Sequence, residues 1–446
     1  MSRTLASATV DLRAARTSSV ALVEEALAAI DAHAAHTNAF VTVDREGALA
    51  AARTADRDRQ QQVNLGPLHG LPISLKDLID VAGVVTTAGS RVLAHRVAPA
   101  DATVVTRLRD AGAIIIGRTN LHEFALGTTS EDSAFGPVRH PRDHRRSAGG
   151  SSGGSAVAVA TGMGLASIGT DTGGSVRIPA SVCGVVGLKP TLGEVPTDGV
   201  IPLSTSLDHV GPITRTVEDA ALLWKVLANT PTTTAAPDAA RPLRLGRLGG
   251  YFDALDERVR AAFEGTLTWL KGGGVEIVPA AIANVERAPA IYVNIVLPEG
   301  AAWHARYLDT HGDGYTTNVR ARLESGRNIT AMAYLEALAA RAPLTAAVDA
   351  ALADVDALVL PTLPIVAPVI GEADVVLDAR SGQTIPVRAA MLKHTQVFNL
   401  SGHPAITLPM PVQGLPAGLQ LVGRRGDTAG LLAIAATCER IGGLHA

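Results

Sequence analysis

Two glycine- and serine-rich stretches stand close together, SAGGSSGGS at residues 147–155 and GTDTGGSVRIPAS at residues 169–181. Glycine lets the backbone adopt unusual dihedral angles and lets a ligand approach the main chain closely. A turn such as Thr172-Gly173-Gly174-Ser175 can aim successive N–H groups at one point, which is what a tetrahedral oxyanion requires. These stretches therefore predict a site for acyl transfer, although serine is a weak nucleophile and needs a base.

Lys76 is the candidate base. It follows Ile73–Leu75, an apolar segment that reads as a short buried strand. Burial disfavours the charged form of an amine, so a lysine there can be neutral and accept a proton from a serine. The competing interpretation is an ordinary surface lysine, which describes most lysines in proteins.

The same two stretches allow other interpretations. Gly-rich loops at helix N-termini bind phosphate, but neither stretch continues into the Gly-Lys-Ser/Thr of a nucleotide-binding loop. Gly149-Gly150-Ser151-Ser152-Gly153 also fits the nucleophile elbow of an α/β-hydrolase-type esterase, with Ser151 as nucleophile and His394 or His403 downstream. An elbow follows a buried strand, whereas residues 143–148 read as a loop.

The rest of the chain alternates short apolar runs with amphipathic segments, which is typical of an α/β fold. The run at 113–116 predicts a buried strand of a largely parallel sheet. Residues 325–352 read as mostly helical with a break near Pro343. Further predicted elements are helices over Val104–Ala111 and Glu257–Leu270 and strands over Leu243–Leu248, Val275–Pro279 and Ala357–Leu360.

Composition limits the classes of function. The chain has 446 residues, of which 47% are hydrophobic, so it can fill a large core. The formal net charge of -3 is unlike that of a nucleic-acid-binding protein. Two cysteines make a disulfide framework or a Cys-based metal site unexpected. With no signal-peptide pattern and no long apolar run, we expect a cytoplasmic protein that does not associate with membranes.

Several motifs, in order, closely resemble those of the amidase-signature family of serine hydrolases. Besides the two Gly–Ser stretches they are GLPISLKD (70–77), TTAGS (86–90), GRTNLHEFA (117–125), CGVVGLKP (183–190), NLSGHPA (399–405) and GLPAGLQ (414–420). The resemblance covers nearly the whole chain. It implies a central twisted mixed β-sheet flanked by helices on both faces.

The residue patterns and the resemblance together predict a domain organisation. We expect a single domain over 1–446, made of these parts: an N-terminal helical region (1–65), a catalytic core (66–228), a loop or linker (229–240), a variable helical region that shapes the substrate pocket (280–350) and the C-terminal part of the core (355–446).

The resemblance assigns roles to residues. Ser175 is the expected nucleophile, Ser151 the bridging serine after a cis peptide bond from Gly150, and Lys76 the base. The expected oxyanion hole consists of the N–H groups of Thr172, Gly173, Gly174 and Ser175. Supporting roles fall to Gly150, Ser152, Asp171 and Arg177. No cofactor and no metal are expected.

The substrate is less sharply defined by the resemblance. We expect a stand-alone amidase that cleaves small amides, including aryl amides and carbamates (urethanes), and a homodimer stays open as its assembly. Tyr292, Trp303 and Tyr307 are candidates either for lining an aryl or alkyl site or for core packing. The alternative within the family is the amidase-type subunit of a tRNA-dependent glutamine amidotransferase, which works with partner proteins.

Overall fold

The computed structural model describes residues 3–63, 65–230, 241–378 and 382–443. Its helices are α1 (Leu5–Arg13), α2 (Ser19–Thr37), α3 (Arg45–Gln60), α4 (Thr103–Asp110), α5 (Gly153–Ala160), α6 (Arg177–Cys183), α7 (Val217–Ala228), α8 (Glu257–Gly272), α9 (Ala288–His311), α10 (Thr317–Arg327), α11 (Ala331–Ala351), α12 (Val387–Leu392), α13 (Gln396–Leu400) and α14 (Thr428–Gly442).

The strands are β1 (Phe40–Val43), β2 (Pro72–Lys76), β3 (Ile114–Thr119), β4 (Ala166–Thr170), β5 (Val186–Lys189), β6 (Val210–Thr214), β7 (Arg244–Leu248), β8 (Glu276–Ala280), β9 (Ala357–Pro361), β10 (Asp374–Asp378), β11 (Gln383–Pro386), β12 (Ala405–Pro409) and β13 (Gly418–Val422). Within the described residues, eleven of them form one sheet in the order β1-β3-β2-β4-β6-β5-β12-β13-β9-β7-β8, and β10 pairs with β11 separately. Helices flank this central sheet, which confirms the predicted mixed α/β class.

The expectation of a largely parallel sheet is wrong. Strand β2 runs parallel to both β3 and β4, and β7 runs parallel to both β8 and β9. The other neighbours in the large sheet pair antiparallel. A short apolar run signals burial on both faces but carries no information about the direction of the neighbouring strand.

The centre of the sheet is fully enclosed. Every residue of β2, β4, β5, β6, β9, β12 and β13 is buried. Strands covered on both faces are expected to read as continuous apolar runs, so a charged residue in one of them is unusual. Lys76 and Lys189 are two such residues, each at the C-terminal end of its strand.

The predicted helical segment over 325–352 is broken at a different point from the one expected. Helix α10 ends at Arg327 and α11 begins at Ala331, whereas Pro343 lies inside α11 without ending it. Thr330 caps the new helix by accepting a hydrogen bond from Ala333 N, and a capping hydroxyl compensates for the unpaired N–H groups of a helix start. The predicted loop at 229–240 lies mostly outside the described residues.

None of the helices in the described part of the chain is both long enough and apolar enough to cross a membrane.

Candidate active site

Lys76 lies at the end of β2, between the two parallel neighbours of that strand, and is fully buried. Its Nζ donates hydrogen bonds of 2.8 Å to Ser151 Oγ and 2.8 Å to Thr170 Oγ1. Burial lowers the pKa of Lys76 to about 7, while Asp208 and Asp171 act in the opposite direction. A substantial neutral fraction is therefore available near neutral pH.

Ser151 sits in a tightly held turn at the start of α5. The Gly150–Ser151 peptide bond is cis, as expected. The carbonyl oxygen of Ser151 accepts hydrogen bonds from His122 N at 3.1 Å and from Ser130 Oγ at 3.2 Å. A Cβ at Gly150 would lie 2.8 Å from Ser130 N, so this position has no room for a side chain. These contacts fix the backbone of Ser151, and so place its hydroxyl within hydrogen-bond distance of Lys76 Nζ.

The second Gly–Ser stretch forms the loop between β4 and α6. Among the described residues, no acceptor receives a hydrogen bond from the N–H groups of Thr172, Gly173, Gly174 or Ser175. Gly174 has φ +137°, and a Cβ there would lie 2.4 Å from Thr395 Oγ1, so this turn requires glycine. Four successive unpaired N–H groups are the donors that an oxyanion hole needs.

Ser175 closes this loop. The Ser175 residue is buried, with 5% of its surface accessible to solvent. Its hydroxyl makes no hydrogen bond to any described residue. The loop is tied to the other Gly–Ser stretch, since Ser152 N donates to Ser175 O at 3.2 Å and Ser152 Oγ donates to Thr170 O at 3.2 Å. The two Gly–Ser stretches therefore meet, through Ser152, at the end of β4.

Asp171 and Arg177 form a fully buried ion pair with Arg177 Nη2 2.9 Å from Asp171 Oδ1. Asp171 also accepts a hydrogen bond from Val176 N, and Arg177 donates to Asn399 Oδ1 and Gln420 Oε1. Burial opposes ionisation of Asp171, but the Arg177 guanidinium overrides it and holds the pKa of that carboxyl below its usual range. The pair braces the loop rather than facing the reaction.

Asp208 is a residue of the site that the sequence did not single out. Its carboxylate accepts hydrogen bonds from Thr172 Oγ1 at 2.6 Å, from Leu203 N at 2.9 Å and from Ser204 N at 3.1 Å. Burial raises the pKa of Asp208 to about 6. A single aspartate without a glycine cluster or motif around it gave no signal, because only the fold brings it beneath the loop.

The nucleophile-elbow interpretation lacks its structural context. No strand precedes Ser151 directly in the described residues, where Arg139 and Ser147 form only an isolated bridge. The two histidines that it would require point elsewhere. His394 Nδ1 lies 2.9 Å from Pro361 O, and His403 Nε2 lies 2.9 Å from Asp349 Oδ1.

The three candidate aromatic residues separate into two groups. Tyr292 packs on the loop of the candidate nucleophile, since its hydroxyl oxygen lies 2.5 Å from the point that a Cβ of Gly173 would occupy. Trp303 and Tyr307 lie together, with ring centroids 5.4 Å apart, in a cluster that includes Phe124. Of the three, it is Tyr292 that contacts the candidate active site.

A sheet of this architecture, with a buried lysine hydrogen-bonded to a serine beside a glycine-rich loop, fits the amidase class that the sequence motifs predict. The family model described as Amidase matches residues 21–432, and the chain belongs to this family. It is thus an enzyme of the amidase class that acts on C–N bonds.

Three similar proteins illustrate the range of the family. A glutamyl-tRNA(Gln) amidotransferase subunit of Acidobacterium capsulatum is 37% identical, over 96% of this chain and 98% of that protein. A crystal structure of an amidase is 40% identical with a TM-score of 0.93, over 98% of this chain and 99% of the other. A structure described as a vestigial protein complex, informative on the origins of an s-triazine catabolic enzyme, is 35% identical with a TM-score of 0.91, over 99% of each chain.

Proposed function

We propose that the chain hydrolyses carboxamides through an acyl-enzyme, with Ser175 as nucleophile, Ser151 as bridging residue and Lys76 as base. The observation that carries this proposal is the 2.8 Å hydrogen bond between Lys76 Nζ and Ser151 Oγ in a fully buried setting. A lysine whose pKa is near 7 has a lone pair available for general-base catalysis at neutral pH.

In the proposed reaction a proton is relayed from Ser175 through Ser151 to Lys76 during attack, and a proton returns through Ser151 when the leaving group departs. Ser175 transfers its hydroxyl proton to Ser151 as Ser151 passes its own proton to neutral Lys76, and Ser175 Oγ attacks the amide carbonyl carbon. The N–H groups of residues 172–175 stabilise the negative charge on the carbonyl oxygen. Collapse of the tetrahedral intermediate breaks the C–N bond, and the leaving nitrogen takes the proton back through Ser151. Water, activated by the same groups, then releases the acid.

Labelling with a fluorophosphonate tests the assignment of the nucleophile without knowledge of the substrate. We expect the reagent to phosphonylate Ser175, as read by peptide mass spectrometry, and to leave Ser175→Ala unlabelled. Lys76→Ala and Ser151→Ala should label at least ~100-fold more slowly, because each removes a step of general-base activation. The exposed Lys271→Ala serves as the matched control. Labelling at Ser151 in place of Ser175 would overturn the proposal.

For the substrate we propose small amides, with aryl amides and carbamates included. The close match in length and structure to an amidase of known structure supports amides as the substrate class, and aryl amides and carbamates are our extension of it. Initial rates on a panel of anilides, primary amides and phenyl carbamates test this preference. Hydrolysis of primary amides alone would remove aryl amides and carbamates from the substrate range.

The amidase-type subunit of a glutamyl-tRNA(Gln) amidotransferase is the second candidate, and the similar protein of Acidobacterium capsulatum favours it over a stand-alone amidase. The difference in length between the two proteins argues against the amidotransferase role. The alignment with the Acidobacterium capsulatum protein spans 474 positions although this chain has 446 residues, so that protein has at least 28 residues without a counterpart here.

Size-exclusion chromatography and a glutaminase assay separate the two roles. A stand-alone amidase should elute as a monomer or homodimer and turn over amides by itself. An amidotransferase subunit should hydrolyse glutamine efficiently only after its partner proteins are added, and should elute with them.

A further inference from the structure

Arg388, beside the candidate active site, has no counter-ion among the residues that the structure describes. It lies on α12, is partly exposed, and neither donates a hydrogen bond to, nor forms an ion pair with, any described residue. Leu392 lies four residues further along the same helix and therefore on the same face. The Leu392 side chain comes within 3.0 Å of the point that a Cβ of Gly173 would occupy, so this face of α12 is turned towards the loop of the candidate nucleophile.

A second guanidinium, that of Arg322 on α10, lies close enough to Arg388 for the two charges to repel each other. Arg322 Nη1 donates to Leu126 O at 2.8 Å, which is a neutral acceptor. The carboxylate that acts on Arg322 is that of Asp132, which already accepts hydrogen bonds of 3.1 and 3.2 Å from Asn318 Nδ2. His122 Nε2 lies 3.3 Å from the same carboxylate.

Within the described part of the chain, Arg388 is the charge of this cluster that lacks a partner. Burial lowers the pKa of His122 below its usual value, so the imidazole is neutral at pH 7. Of the described carboxylates, Asp132 acts on the Arg322 guanidinium and none acts on the Arg388 guanidinium, while Glu123 and Glu131 lie within electrostatic range of Asp132. Burial, followed by repulsion from Arg388, also lowers the pKa of Arg322 to about 10. A partly desolvated positive charge without a partner is unfavourable, and a bound anion would relieve it.

The cluster lies next to the residues proposed to react. His122 N donates to Ser151 O at 3.1 Å, and the His122 ring is within electrostatic range of both Arg322 and Arg388. Arg388 also lies within electrostatic range of Tyr292, whose hydroxyl packs on Gly173. Arg388 is therefore near two residues, His122 and Tyr292, that contact the turn of the bridging serine and the candidate oxyanion loop respectively.

We propose that Arg388, assisted by Arg322, binds a carboxylate of the substrate, so that the enzyme acts on amides that carry a carboxylate a few bonds from the scissile carbonyl. The inference rests on the proposed function of the same site. A planar guanidinium binds a carboxylate through two parallel hydrogen bonds, which fixes orientation as well as charge. The pair of arginines would then hold the acid end while the amide carbonyl enters the cradle of residues 172–175.

Protection of the nucleophile from labelling measures this binding in the full chain. The rate of fluorophosphonate labelling of Ser175 is followed against increasing concentrations of malonamate, succinamate and glutaramate, and of the isosteric neutral diamides malonamide, succinamide and glutaramide. We expect at least one of the acids to protect at concentrations ~10- to 100-fold below its diamide, the range expected for a charge-assisted hydrogen-bonded pair.

Variants at Arg388 identify the group responsible. In Arg388→Met the stronger protection by the acid than by its diamide should disappear. In Arg388→Lys, which keeps the positive charge but lacks the two parallel N–H donors of a guanidinium, this difference should be partly restored. Arg53→Met, at an exposed position of α3, should keep the wild-type ratio. Equal protection by acid and diamide, protection by none of the three acids, or an acid preference that survives in Arg388→Met would overturn the anion site. Absence of any labelling at Ser175 in the wild-type chain would instead refute the proposed function.

Discussion

Activation of Ser175 should depend on pH through the protonation of Lys76. The pKa of this lysine is lowered by burial from its ordinary value of 10.5 to about 7. Since one pKa unit corresponds to ~1.4 kcal/mol, the fold disfavours the ammonium by on the order of 5 kcal/mol. The base must be neutral to accept a proton, so reactivity should rise with pH and reach a plateau above the pKa.

The size of the effect follows from the neutral fraction. With a pKa of about 7, roughly half of the lysine is neutral at pH 7 and about one-tenth at pH 6, so the rate should fall nearly tenfold per unit below that. An unperturbed lysine would be neutral to only about one part in 3,000 at pH 7.

The assay is the second-order rate constant for fluorophosphonate labelling between pH 5 and pH 10, which reports on the nucleophile alone. The same profile for Ser175→Ala gives the background, and circular dichroism at each pH verifies the fold. A profile that is flat from pH 6 to pH 9, or that rises only near pH 10, would refute the assignment of Lys76 as a neutral base.

Three further changes test the surroundings of the site. Arg177→Met leaves Asp171 buried without its guanidinium, and urea denaturation should show a loss of about 3–5 kcal/mol in the free energy of unfolding; a loss below about 1 kcal/mol would contradict the role of the pair. Asp208→Asn removes a carboxylate that raises the pKa of Lys76, so the acid limb of the labelling profile should move to lower pH, and an upward shift would argue against that coupling. Gly174→Ala forces a side chain onto a residue with φ +137° and should slow labelling by about 100-fold, the effect of displacing an oxyanion donor, whereas Gly265→Ala, with open space around it, should label normally.

The sequence predicted an acyl-transfer site because the features that such a site requires are local in the chain. Glycines that permit a close turn, and an apolar strand that ends in a lysine, are visible in short windows of sequence. The elements at residues 243–248, 257–270 and 357–360 were also correctly predicted as strand, helix and strand. Strand direction and the position of the break near residue 330 were not, because both depend on which neighbours an element meets.

Arg388 and Asp208 are residues near the site that the sequence alone did not indicate. Neither belongs to a recognisable motif, and each acquires its meaning from what surrounds it. Asp208 becomes part of the site because Thr172 Oγ1 donates to it. Arg388 draws attention because no carboxylate among the described residues accompanies it beside Tyr292 and Gly173. The charge balance of such a cluster is a property of elements far apart in the chain.

The sequence by itself identified the family through the resemblance of its ordered motifs. It also indicated the α/β class and the candidate reactive side chains, because glycine geometry, apolar periodicity and residue chemistry act over a few neighbours. The tertiary structure alone decided the properties that make these groups a site. It buries Lys76 deeply enough to lower its pKa, sets its Nζ 2.8 Å from Ser151 Oγ, and leaves Arg388 without a carboxylate partner among the described residues. Desolvation and charge pairing arise from residues hundreds of positions apart, and only the folded chain brings those residues together.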